Sequence, residues 1–370
     1  MVGAGPVGAS LARALANLSV AVVGQPPEAP PTDGFDVRAY ALSPGNVDFL
    51  RGLGAWDAIA PRATAVYAMR IYGDDGRARL EFDAYEAGVA ALAWIVEDSA
   101  LQRALWSGLT PIGRRCAQLE VQPDQALITL DDGSSLAARL VVGADGAQSF
   151  VRQSAALLTR ERDFEQAALV ANFRCEKAHA NVAHQWFQGG AVLALLPLPG
   201  DQVSMVWSLP AAEAARIAVL TPAAVADEVT RASRGVLGAL TIASTVRSFA
   251  LRHLSARRMV APRIALVGDA GHVVHPLAGQ GLNLGLQDVR VLAQTITQRE
   301  PGRDPGDYRL LRRYERQRAE PILAMDAVIS GLFLLYGAQN RVIGRLRNAG
   351  LNLTDRLPVL KNILIRHAMT

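Results

Sequence analysis

Apolar positions along this chain repeat with two periods, and the alternation between them divides it. Behind a glycine-rich start, Leu11, Leu15 and Leu18 share one helical face, and "VAVV" (20–23) predicts a buried strand. Ser43-Pro44 opens a second helix with Val47, Leu50 and Leu53 on its apolar side. From about 67 to 96 the period drops to two, with "YAMRIYG" and "ARLEFDA" on either side of a "GDDG" turn. "VEDSALQRALWSGL" predicts a helix capped by Ser99. Residues 117–143 predict a strand meander, followed by the strands "LVANFRCE", "AHQWFQGGAVLALLPLPG" and "QVSMVWSLP". Residues 211–238 turn helical, "RIALVGDAG" (263–271) is a strand ending in Gly-Asp, and helices follow to the end.

The pattern is that of an α/β protein in which a Rossmann-like cofactor domain is interrupted by a sheet domain. Residues 1–66, 97–160 and 255–320 are assigned to the cofactor domain. Residues 67–96 and 161–254 form the inserted mixed or antiparallel sheet, and 321–370 the C-terminal helices.

Composition narrows the function classes. Half of the 370 residues are hydrophobic and 19% are charged, which excludes a disordered chain. A net charge of +4, from scattered basic residues with few aromatics among them, argues against nucleic-acid binding. Cys116 and Cys175 form no CxxC and no cluster with histidine, so neither a disulfide framework nor a metal site is expected, and a reducing cytoplasm is the default. No basic n-region with an apolar h-region marks a secretory leader. The apolar run "AVISGLFLLYGA" (327–338) is shorter than the ~20 residues a bilayer span requires.

Three motifs carry candidate chemistry. Gly3, Gly5 and Gly8 form G-x-G-x-x-G ahead of an amphipathic helix, the arrangement that seats a dinucleotide pyrophosphate on a helix N-terminus. Only Met1 and Val2 precede it; a full strand normally stands there, so the strand's start is expected upstream and a central strand this short should weaken the sheet. The second strand ends in Gly24 and Gln25 rather than the usual ribose-binding carboxylate, leaving Gln25, or Glu28 reaching back, as substitutes. The second motif, "VVGADGAQSFVR" (141–152), runs a strand into Asp145-Gly146. In the third, "ALVGDAGHVVHPLAGQGLNLGLQD" (265–288), Asp269 stands at a strand's carboxyl end. Beyond it, Gly279 and Gly281 remove side chains just before a helix predicted over 281–297. That turn suits a flat ring system, and the helix N-terminus suits one that gains negative charge, as a flavin does on reduction.

The stretch from His275 to Asp288, "HPLAGQGLNLGLQD", resembles the signature of the FAD-dependent hydroxylases of ubiquinone biosynthesis. These are aromatic-ring flavoprotein monooxygenases with the para-hydroxybenzoate hydroxylase fold. "GAGPVG", "DVRAYALSPGNVDFLRGLGAW", "GADGAQSFVR", "RLLRRYERQRAEP" and "LFLLY…LRNAGLNL" extend the resemblance over almost the whole chain. It implies that Gly3, Ala4, Gly5, Pro6, Val7 and Gly8 hold the FAD pyrophosphate, and that Arg38 and Gln102 contact the cofactor. It implies that Asp145 supports the FAD site, that Asp269 binds the ribityl or pyrophosphate end, and that Pro276, Gly279, Gln280, Gly281, Leu282 and Asn283 lie against the isoalloxazine. NAD(P)H and O2 are the implied co-substrates, and the implied substrate is a polyprenylated phenol. No catalytic side chain is assigned.

The remaining residues have plainer readings. His275 shapes the turn more readily than it transfers protons, and His272 reads as structural. Trp186, Phe187, Leu195, Pro197 and Trp207 lie on the strands that the resemblance turns toward substrate; ordinary core is the reading for at least half of them. Ile322, Met325, Ile329, Leu332, Phe333 and Tyr336 recur at helical spacing, which serves packing within the fold or, more sharply, a contact with the inner membrane or another subunit. The arginines of "RLLRRYERQR" read as a solvated face, with anionic lipid as the sharper alternative. Two other functions stay open: hydroxylation of a small soluble aromatic, and a catalytically weak structural partner in a biosynthetic complex.

Overall fold

A computed structural model describes residues 1–26, 34–74, 78–274 and 280–337. At its centre Val2 bridges Val23 on one side and Gly143 on the other, both in parallel. Val2 N donates to Val142 O at 2.9 Å, Gly3 N to Val23 O at 2.8 Å and Ala144 N to Val2 O at 2.7 Å. The short first segment therefore fills the central position by pairing on both edges. Val23 continues the row to Ile112, and Val141–Gly143 continues it in parallel to Ile264–Leu266, which pairs antiparallel with Val260–Ala261. Of the predicted strand 20–23 only Val22 and Val23 are buried.

The helix Pro6–Ala14 packs on this sheet through Leu11 and Leu15, and the helix Gly281–Thr297 through Val289, Leu292 and Ile296. Pro6 at the first helical position needs no N–H there. The predicted bounds of the second helix, 281–297, agree with the structure.

Among the described residues the largest sheet has nine strands, including Ala68–Tyr72, Thr159–Cys175, Val182–Gln188, Ala191–Leu198, Gln202–Pro210 and Arg247–Ala256. Its neighbours are antiparallel except Val182–Gln188 beside Ala68–Tyr72. Two helices, Ala211–Ala218 and Pro222–Ala232, cover one face and bury Leu169, Phe173, Trp186, Leu193, Leu195 and Trp207. Phe187 and Val192 point the other way and cluster with Val274 and Leu284. Strand alternation thus divides the candidate substrate residues: Trp186, Leu195 and Trp207 are core, whereas Phe187 faces the 280 region.

Two smaller sheets complete the chain. Ala93–Glu97 pairs between Ala39–Leu42 and Thr64–Val66. The meander Cys116–Val121, Ala126–Leu130 and Ser135–Ala138 forms a sheet of its own and packs Ala126, Ile128 and Leu130 into the central core. The helix after Glu97 begins at Asp98, so Ser99 is not its cap; Ser99 N donates to Asp36 Oδ2 at 3.2 Å instead. The last described helix, Tyr308–Gly337, buries Ile322 in the central core and rests Met325 on the cluster around Phe187. None of the described helices is long and apolar enough to cross a membrane. Both cysteines are free, and burial pushes each thiol up to about 11.

Candidate functional site

The glycine turn is built by close approaches on three sides. Gly3 has φ +110°, and a Cβ there would lie 2.1 Å from Ala144 O. A Cβ on Gly8 would lie 2.2 Å from Gly3 O. Ala4 O accepts Trp106 Nε1 at 3.0 Å. Gly5 differs: its backbone is extended, and a Cβ would meet nothing within 4 Å. No side chain caps the helix that starts at Pro6, so its first-turn N–H groups, Val7 and Gly8, face that open side without an intrahelical partner.

Val7 links this turn to the third motif. A Cβ on Gly268 would come within 3.2 Å of Val7 Cγ2, and one on Gly285 within 2.7 Å of the same atom. The start of the first helix, the turn Gly268–Ala270 and the first turns of Gly281–Thr297 are therefore packed around one cleft. Asp269 sits in it with its side chain open to solvent on one side. The enclosing protein pushes its carboxyl above the usual range; desolvation leads, the His272 charge opposes it and Asp288 adds to it. Asp269 has no side-chain hydrogen bond among the described residues, so it is a carboxylate short of donors.

Asp145 is fully engaged. It accepts Ser149 Oγ at 2.5 Å and Val151 N at 3.2 Å, and Ser149 in turn caps the helix Phe150–Ser154. Arg152, buried in the same motif, donates to Ala270 O at 2.8 Å and to Ala147 O at 2.7 Å. One guanidinium thereby ties the two strand-end turns together. Gln25 Nε2 donates to Gly113 O at 3.4 Å, which leaves its Oε1 as an acceptor at the second strand's end. Glu28 lies outside the described residues.

Arg38 and Gln102 meet on a residue that sequence reading does not single out. Asp98, 1% exposed, accepts Arg38 Nη2 at 2.6 Å, Gln102 Nε2 at 2.9 Å and Tyr40 Oη at 3.1 Å. Burial raises the Tyr40 hydroxyl far above its usual range, and Asp98 and Asp269 add to the effect. The spacing of Asp98 and Gln102, four apart at a helix start, is the signal that could have found it.

The helix start at Gly281 is open. His275, Pro276 and Gly279 lie outside the described residues. Gln280 precedes the helix Gly281–Thr297, which has no side-chain cap and no acidic residue in its first turn. A Cβ on Gly281 would meet nothing within 4 Å. Leu282 packs on the cluster of Leu42 and Leu50. The Asn283 side chain is committed inward: Oδ1 accepts Ser43 N at 3.0 Å and Asn46 Nδ2 at 2.9 Å, and Nδ2 donates to Ala41 O at 2.8 Å. Asn283 can thus offer a ligand only its backbone.

Beneath this helix lies a buried ionic network. Asp288 Oδ2 accepts His272 Nε2 at 2.6 Å and Gly268 N at 2.9 Å; Oδ1 accepts Arg318 Nε at 2.6 Å. His272 is structural, as expected, and Arg318 departs from the solvated arginine face by being only 3% exposed. Desolvation pushes the Asp288 carboxyl up, but His272 and Arg318 outweigh it, so its pKa lies below the usual value. A depressed carboxylate contributes stability above its unfolded pKa, about 3.9, and loses it as pH falls through the native pKa. Asp288→Asn is therefore expected to flatten the fall in Tm below pH 4, read by thermal unfolding between pH 7 and 3.

A family model described as "FAD binding domain" matches residues 1–325. Ubiquinone hydroxylase UbiL of Rhodospirillum rubrum is 34% identical over all of this chain and 88% of its own length. The chain belongs to the FAD-dependent hydroxylase family of ubiquinone biosynthesis. A second relative of this hydroxylase, 3-demethoxyubiquinol 3-hydroxylase of Escherichia coli, is 32% identical over 100% of the chain and 97% of that protein. Among solved structures, Klebsiella pneumoniae HpxO complexed with FAD and uric acid superposes with a TM-score of 0.78 at 19% identity, covering 99% of this chain and 96% of that one. Pseudomonas aeruginosa PqsL in complex with 2-aminobenzoylacetate gives 0.78 at 24%, covering 95% and 97%. At these identities the two structures establish the fold of the hydroxylase alone.

Proposed function

We propose that this hydroxylase binds FAD along the cleft and hydroxylates a phenolic ring carrying a polyprenyl tail, with NAD(P)H and O2. The reading rests on one contrast. Gly3 and Gly8 are glycines because protein atoms crowd them, but Gly5 and Gly281 are glycines with open space where a Cβ would stand. An open glycine beside an uncapped helix start fits a ligand that must approach backbone N–H groups.

When bound, FAD supplies hydride acceptance from NAD(P)H and activation of O2. The turn Gly3–Gly8 and the N–H groups of the helix Pro6–Ala14 hold the pyrophosphate. Gln25 Oε1 stands in for the ribose carboxylate. Asp269 accepts a sugar-chain hydroxyl, the donor its carboxylate lacks. Asp98 holds Arg38 and Gln102 toward the cofactor, and Asp145 with Arg152 shapes the opposing turn. Gln280 and the backbone of Gly281–Asn283 would lie against the ring, as would Pro276 and Gly279, which are outside the described residues, and the helix start would favour negative charge there by about 0.3–1 kcal/mol. Phe187 and Val192 form an apolar wall that keeps water from the reacting ring.

On this reading residues 1–66, 97–160 and 255–320 serve the cofactor and 67–96 and 161–254 the substrate; of the C-terminal stretch 321–370, residues 338–370 lie outside the described residues. A polyprenyl tail partitions into lipid, so the hydroxylase works in peripheral contact with a membrane. Arg309 and Arg316, exposed and without ion-pair partners among the described residues, support that placement.

The test is Asp269→Ala. Removal of a charged acceptor costs about 1.5–3 kcal/mol, so the Kd for FAD should rise about 10- to 150-fold in equilibrium titration of the apoprotein. An unchanged Kd would remove Asp269 from the site.

A further inference from the structure

Resting on that reading, we propose that Gln185 reads the substrate, its side-chain amide hydrogen-bonding the hydroxyl of the ring while the surrounding wall takes the tail.

Gln185 lies in the strand Val182–Gln188, two residues from Phe187, and strand alternation puts both on one face. Phe187 fixes which face this is, through its cluster with Val192, Val274 and Leu284 beside the turn at 280. The opposite face is closed: Trp186 and its neighbours pack under two helices, and burial lowers His184 to about 4, which keeps it neutral. Across the sheet, Gln185 stands level with Ile71 and Ala194, and Ala194 with Val206. Every flanking side chain in that row is apolar.

Gln185 is only 6% exposed, yet its amide has no hydrogen-bond partner among the described residues. Nor is it sealed in the manner of Trp186 Nε1 and Trp207 Nε1, the buried orphans of the other face. An amide at such a depth, open to solvent but with no protein partner, is incompletely hydrated. A ligand oxygen that meets it removes the deficit, and Oε1 can accept from a phenolic O–H while Nε2 donates to an adjacent ring oxygen. The side chains beside it, Ile71, Ala194 and Val206, are indifferent to the hydroxyl, so within that row discrimination between a phenol and its hydroxyl-free counterpart rests on Gln185. A site built to pair with a hydroxyl rejects the analogue lacking it, because the polar group is then left unmet.

The test uses the FAD-loaded enzyme, 2-geranylphenol and geranylbenzene, with binding followed by the perturbation of the flavin spectrum. Wild type should bind the phenol about tenfold or more tightly than the hydrocarbon. In Gln185→Leu the phenol should weaken about tenfold, the hydrocarbon should hold or tighten, and the ratio should fall toward one. The same variant should raise the Tm of the ligand-free protein, since an unmet amide is replaced by an apolar group; a merely structural glutamine would lower it. Loss of both ligands in equal proportion, or a retained preference for the phenol, overturns the role of Gln185 alone. Failure of wild type to bind either ligand overturns the phenol reading and this proposal with it.

Discussion

Gly5→Val is expected to give a folded protein that has lost most of its affinity for FAD. The two valine methyls would meet no protein atom close to the Cβ position, and the backbone there is extended, a conformation valine adopts freely. The protein loses only the preference for glycine over valine at a helix N-cap, about 1 kcal/mol. On the proposed placement the cofactor loses more, because the methyls would stand where its pyrophosphate approaches the helix start. Overpacking of ~1–3 kcal/mol corresponds to about a 5- to 150-fold higher Kd. Thermal unfolding of the apoprotein with a parallel FAD titration separates the two effects. Gly8→Val supplies the contrast, since a Cβ there runs into Gly3 O and the fold itself should fail. A Gly5→Val protein that retained full affinity would mean that the pyrophosphate does not lie over Gly5.

The second large effect is on stability. Arg318→Met leaves the Asp288 carboxylate, fully buried, with His272 and Gly268 N but without its guanidinium. Breaking one side of a buried ion pair costs about 3–5 kcal/mol. At ~2.1 cal/mol/K of unfolding entropy per residue, a chain of 370 residues should lose about 5 °C in Tm. The exposed neighbour on the same helix, Arg316, serves as control: Arg316→Met should move Tm by less than about 1 °C. The double variant Asp288→Asn/Arg318→Met should recover part of the loss, because no uncompensated charge remains. Equal Tm values for Arg318→Met and Arg316→Met would deny the network its role.

The sequence was most legible where local sterics decide the structure. G-x-G-x-x-G, Ser43-Pro44 and Gly281 each dictate a turn or a helix start from a handful of neighbours, and those elements stand where the pattern puts them. Long-range partners were not legible. Nothing near Arg318 announces Asp288, and nothing near Arg152 announces the carbonyl of Ala270, 118 residues away. The solvated reading of "RLLRRYERQR" failed at Arg318 for that reason. Arg247–Ala256 escaped notice because its charged residues break the apolar alternation of a strand that is exposed over much of its length. The sheet's two faces were equally hidden. Trp186 and Phe187 are adjacent and both aromatic, and only the covering helices on one side and Val274 with Leu284 on the other decide which of them meets the cleft.

The central claim, that a flavin ring lies against the turn at Gly281, is tested most directly by FAD titration of Gly281→Val beside Gly52→Val. Both glycines are helical, and a Cβ at either meets nothing within 4 Å. The account predicts that Gly281→Val weakens FAD binding about tenfold or more while Gly52→Val binds as wild type does. Undiminished affinity in Gly281→Val would contradict it.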